Sequence, residues 1–152
     1  MKTTRLAMAS LILATVMTAC GSSDAADSPP PFCDVAFAVK SAADAQQKLF
    51  DAVDPPPATA VQIAVEDFAA KFAAMNSIAP TGIKSDVATL NGVAQQLAGV
   101  VRTSNYDVVA MVSTPGFAAL TTTFASATYT SAQNRFQQYI DTNCRFTTTP
   151  GT

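Results

Sequence analysis

Residues 61–79 read VQIAVEDFAAKFAAMNSIA, and residues 83–101 read IKSDVATLNGVAQQLAGVV. In the first stretch Val61, Val65, Phe68, Phe72, Met75 and Ala79 recur at alternating steps of four and three. In the second, Ile83, Val87, Leu90, Ala94, Leu97 and Val101 keep the same steps. That spacing puts the apolar residues on one face of an α-helix. Glu66, Asp67, Lys71 and Asn76 fall off the first stripe. Between the stretches, Ala79-Pro80-Thr81-Gly82 is a turn. Two apolar-faced helices joined by a short turn are antiparallel neighbours in a bundle.

The pattern extends in both directions. Phe32, Ala36, Val39, Ala43, Phe50 and Val53 form an earlier stripe with Gln46 as its one polar member. The prolines at 29–31 suit a helix's first turn, and Asp54-Pro55-Pro56-Pro57 ends that helix by removing N–H donors. Beyond the third helix, Thr103-Ser104-Asn105 is a stop and Asp107 an N-cap for a short helix reaching Val112. Ser113-Thr114-Pro115-Gly116 is another break. Phe117, Leu120, Phe124 and Ala127 follow at helical spacing, although the threonines at 121–123 are poor helix formers. Tyr129, Ala132, Phe136 and Ile140 mark a last helix ending near Cys144. No segment alternates with period two. The expected fold is all-α: an antiparallel bundle of about four principal helices, with a short broken helical segment before the last.

Gly92 and Gly99 lie seven apart on the third helix, which predicts tight helix packing or a weak point near Asn91-Gly92. Phe37 and Phe146 fall off the clean stripes and are expected in an exposed patch, with the other phenylalanines in the core.

The amino-terminal segment has a different character. Lys2 and Arg5 precede an uncharged apolar stretch at 6–16, closed by Met17-Thr18-Ala19-Cys20. That is the pattern of a secretory signal over residues 1–19. Its end resembles the lipobox of bacterial lipoproteins, although Met17 stands where leucine is usual. The resemblance implies that the Cys20 thioether carries a diacylglycerol, with palmitate-type chains, and becomes the new amino terminus. The competing readings are plain secretion after an A-x-A-like cleavage, and an uncleaved apolar anchor. Two acyl chains suffice for stable anchoring. Residues 20–31 (CGSSDAADSPPP) then read as a lipidated tether, 32–146 as the bundle and 147–152 as a disordered tail.

Three cysteines leave one odd in an exported chain. Acylation of Cys20 removes it from the pool and leaves Cys33 and Cys144, either bridged in an oxidising compartment or as two free thiols. The carboxy-terminal YTSAQNRFQQYIDTNC, with Tyr129, Ala132, Arg135, Phe136, Tyr139 and Cys144, resembles small exported helical lipoproteins of actinobacteria. Those proteins often end in an aromatic-x-x-Ala…Arg-apolar-x-x-Tyr…Cys pattern. The resemblance implies a disulfide from Cys144 to Cys33 at the opening of the first helix. It carries no function. This chain departs from the pattern at Arg145, where glycine is common, and at the threonines 121–123.

The chemical inventory is defined by what is missing. The chain has no histidine, which removes the commonest general base and metal ligand. With its cysteines assigned to lipid and bridge, thiolate and zinc chemistry are not expected, and no glycine-rich phosphate loop is present. Glu66 and Asp67 are adjacent and diverge on a helix, which reads as a solvated face. Asp51 and Asp54 flank a helix end without the spaced oxygen donors of a calcium loop. Lys2 and Arg5 are two of nine basic residues, so the chain after Ala19 has a net charge of about −4 against its eleven acids. No basic stripe exists, which argues against nucleic acid. Arg135 is expected to pair with Asp34 or Asp141, or to contact a ligand or partner together with Tyr129 and Tyr139. The sequence thus predicts no enzyme, no catalytic residue, no metal and no cofactor. It predicts an exported lipoprotein on the outer face of the cell membrane, acting as a binding module toward an envelope protein or polymer. The alternative is a carrier of a lipid or haem between the helices, with Tyr106, Tyr129, Tyr139 and Met75 as haem ligands.

Overall fold

The computed structural model describes residues 30–51 and 54–144. Six α-helices run in order: α1 (Pro30–Phe50), α2 (Ala58–Ser77), α3 (Lys84–Thr103), α4 (Val108–Met111), α5 (Pro115–Phe124) and α6 (Ala127–Asn143). A 3₁₀ turn, Thr81–Ile83, leads into α3. No strand occurs among the described residues. The expected all-α bundle is the one observed, with α1, α2, α3 and α6 as the long members and α4 and α5 as the broken segment. Residues 1–29, with the expected signal, Cys20 and most of the expected tether, lie outside the described residues, as do Val53, Phe146 and the tail; Pro30 and Pro31, expected in the tether, form the start of α1.

The helix boundaries follow local chemistry. Asp107 caps α4, its Oδ1 accepting from the backbone N–H of Val109 and Ala110 at 2.8 and 3.0 Å. Thr114 caps α5 by accepting from Phe117 N–H, with Pro115 opening the helix where no donor is needed. Ser126 caps α6 through Tyr129 N–H. The end of α3 is a Schellman motif. Tyr106 N–H reaches back to Val101 O at 2.9 Å and Asn105 N–H to Arg102 O at 3.0 Å. Asn105 and Tyr106 both take left-handed backbone, φ 52° and 61°.

α1 packs on α2, α2 on α3 and α3 on α6. The Cys33–Cys144 disulfide (Cα–Cα 5.4 Å) closes this series, joining the first turn of α1 to the residue after α6. Phe32 meets Tyr139 edge-on beside it. The core has two parts. One, at the disulfide end, gathers Phe32, Val39, Phe72, Met75, Val87, Leu90, Ala132 and Ile140. The other lies toward the opposite end and holds Val61, Val65, Ala69, Ala98, Val101 and Met111, with Tyr106, Val108 and Phe117 packed against it. Phe32, Met75, Leu120, Val61, Val65, Val87 and Val101 are fully buried.

α3 buries more than one face. Besides its main stripe, Asp86, Val93 and Val100 are buried at steps of seven. Asp86 meets Arg135 of α6, and a Cβ on Gly116 of α5 would come to 3.1 Å from the Val100 side chain. α5 therefore approaches α3 closely at Gly116, where an added Cβ would require the Val100 side chain to give by a few tenths of an ångström. Gly92 and Gly99 face open space, so the close helix approach expected there does not occur. Phe37 packs against the core rather than joining an exposed patch, and Phe124, expected inside, is 37 % exposed and stacks edge-on against Tyr129.

Candidate functional site

The end of the bundle away from the disulfide is built from two loops. α1, with 21 residues, carries the chain about 31 Å from the Cys33 end before the linker to α2. α3 returns the chain to the same end. There Pro55, Pro56 and Ala58 face Tyr106, Asp107, Val108 and Val109 across a cleft of about 290 Å³. Residues 55–57 are not helical because successive prolines exclude helix, and they offer carbonyls without a single N–H. The opposite wall is positioned by the left-handed Asn105 and Tyr106, which swing the chain from α3 into α4.

A polar cluster fixes Tyr106. Its hydroxyl donates to Glu66 Oε1 at 3.0 Å. Arg102 donates through Nε to the same oxygen at 2.6 Å and through Nη2 to Oε2, a two-pronged grip on the Glu66 carboxylate. The Arg102 bonds are the main reason Glu66 is held below the usual carboxylate range, with Tyr106 adding to them and partial burial opposing. Burial, followed by the bond to Glu66, pushes the Tyr106 phenol above its ordinary value. Arg102 is raised further by Glu66. The three groups satisfy one another's hydrogen bonds. Asp67 pairs with Lys71 instead, so the adjacent acids serve separate partners.

Arg135 binds neither Asp34 nor Asp141. It grips Asp86 in the first turn of α3, Nε at 3.1 and 3.0 Å from the two carboxylate oxygens and Nη2 at 2.6 Å from Oδ1. The Asp86 side chain is 7 % exposed and that of Arg135 59 %, so the pair ties α6 to α3 from the surface inward. Asp141 instead accepts from Gln137 one helical turn earlier. Tyr129 and Tyr139 are half-buried against the core, and burial raises the Tyr129 phenol. Met75 is fully buried in the core at the disulfide end, whereas Tyr106 stands in the cleft at the other. Of the residues proposed for haem, Tyr106 therefore stands apart from Met75, Tyr129 and Tyr139, which share the core at the disulfide end. Asp51 accepts from Gln47. Among the described residues, no cluster of three or more acidic, Cys or His side chains could hold a metal ion.

The sequence placed Glu66 on a solvated face and Tyr106 among the haem ligands, and nothing in it joined either to Arg102. One usable signal existed. Residues 66 and 102 lie on opposite sides of the turn at 80–83, in the same antiparallel register that sets Gln95 Nε2 2.9 Å from Ala69 O. No protein-family model, curated protein or solved structure matches this chain.

Proposed function

We propose that this chain is an exported lipoprotein, anchored at the outer face of the cell membrane through Cys20, whose helical domain is a non-catalytic module binding another envelope component. The observation that carries this reading is the polarity of the bundle. The chain enters at the disulfide end, only twelve positions beyond Cys20 at Phe32, and the cleft lies at the other end, about 31 Å away along α1. Anchored in this way, the module presents residues 55–58 and 106–109 away from the membrane. No described helix is long and apolar enough to cross a membrane. The fully buried side chains Phe32, Met75 and Leu120 occupy the space between helices that a carrier would give to its ligand, which favours a surface over an interior site.

The test is fractionation of cells producing the wild-type chain and Cys20→Ala, with mass spectrometry of the mature amino terminus. The wild type should fractionate with membranes and carry a diacylglyceryl mass on Cys20, and the variant should leave the membrane fraction or remain unprocessed. An unmodified Cys20, or a Cys20→Ala chain that is processed at the same position and fractionates as the wild type does, refutes the anchor. Native mass spectrometry showing a co-purified lipid or haem would move the reading to the carrier.

A further inference from the structure

We propose that the cleft at the bundle's far end docks a protein segment presenting an apolar side chain flanked by basic residues. This deepens the reading of the domain as an interaction module and rests on it. The volume of about 290 Å³ lies at the lower edge of small-molecule sites, and suits one large side chain of a partner. The floor is apolar: Pro55, Pro56, Ala58, Val108, Val109 and the ring of Tyr106. Val109 is 61 % exposed on a four-residue helix, and Val112 beyond that helix is exposed as well. These are large apolar surfaces that the fold itself leaves uncovered.

The rim selects the sign of the partner. Asp107 lines the cleft, and its second carboxylate oxygen lies beyond the two N–H bonds that Oδ1 receives as the cap of α4. Asp54 adjoins Pro55, and both acids are exposed. The consecutive prolines add carbonyl acceptors and no donors. At this end Arg102 is committed to Glu66, which leaves Lys48 in the last turn of α1 as the uncommitted cation among the described residues. A wall of acceptors and carboxylates around an apolar floor is complementary to cationic, donor-rich side chains and repels anionic polymers.

The cleft is also built in advance. Left-handed backbone at Tyr106 is costly for a residue with a bulky side chain, and it is sustained by the Schellman bonds and the Glu66–Arg102 grip. A wall held this way loses little further freedom when a partner binds.

The test is titration of the ¹⁵N-labelled full chain in detergent micelles with a leucine peptide flanked by arginines. Its glutamate-flanked and glycine-centred counterparts serve as controls. Saturable amide shifts confined to residues 106–109 and the start of α2 are expected for the first peptide, and none for the controls. Asp107→Asn keeps a good N-cap while removing the charge, and should weaken binding about three- to fivefold, as should Asp54→Asn. Val109→Asn, at an exposed position, should weaken it about tenfold with an unchanged circular dichroism spectrum. No saturable shift at millimolar peptide, an equal response to the glutamate peptide, or binding of an anionic wall polymer in its place overturns the proposal. Peptide binding by a chain with unmodified Cys20 would leave the cleft assignment standing and refute the anchor alone, and an acylated chain that ignores the peptide would do the reverse.

Discussion

Opening the Cys33–Cys144 bridge tests how the domain is held together. The bridge spans a sequence separation of 111, nearly all of the described chain. In the chain-entropy model a closed loop of that size restricts the unfolded state by an amount worth about 4.8 kcal/mol at 25 °C. Domains of this length are stable by about 5–15 kcal/mol, so the reduced protein should sit near its folding threshold. Reduction of the wild type keeps both thiols in place at buried positions and so isolates the loop effect. Urea denaturation followed by circular dichroism should show a midpoint about 2–4 M lower after reduction. The slope of the transition should steepen, because the uncrosslinked unfolded chain exposes more surface. Thermal unfolding should shift down by about 15–25 °C. A reduced protein within about 1 kcal/mol of the oxidised one would refute the reasoning, since it would mean the unfolded ends are held together without the bridge. Cys33→Ala with Cys144→Ala should lose slightly more than reduction does, through lost packing.

Other parts of the structure lead to separate expectations. Asp86→Ala should lower stability by about 1–3 kcal/mol, because it removes charged hydrogen bonds at a buried position, and Arg135→Ala should move the melting temperature in the same direction. Unchanged melting in both variants would mean that the pair does not hold α6 to α3. Glu66 titrates below its ordinary value of 4.5, so its contribution is complete above that pH and is lost as pH falls through the lower folded value. The stability gap between wild type and Glu66→Gln should therefore narrow as pH falls below 4.5, and a gap that stays constant through acidification in urea melts would contradict the assignment. Asn105→Gly should stabilise the chain by about 0.5 kcal/mol, since glycine takes the φ of 52° without strain, whereas Asn105→Val should destabilise it. Differential scanning calorimetry distinguishes the two.

Much of the fold is readable along the chain. The four-three steps of α2 and α3 determined two amphipathic helices and the turn between them. The prolines at 55–57 determined where α1 could not continue, and Asp107 where α4 begins. These are local matters, governed by backbone donors, fixed φ angles and a helix's 3.6-residue period. The far side of α3 was not readable in the same way. Asp86, Val93 and Val100 look like a polar and two apolar residues off the main stripe, and only the arrival of α5 and α6 makes them interior. Gly92 and Gly99 invited a close approach that took place at Gly116, because which glycine meets a neighbour depends on where two helices cross. Arg135 found Asp86, 49 positions away, rather than the acids nearer in sequence or at the paired cysteine. The cleft is of the same kind: the proline linker and the α3–α4 junction are each legible as breaks, but their meeting across 290 Å³ is set by helix lengths and the antiparallel return. Periodicity encodes which face of a helix is apolar. It holds no information on which partner covers that face or what is left uncovered, because those depend on contacts between distant segments, which form only when the whole chain has packed.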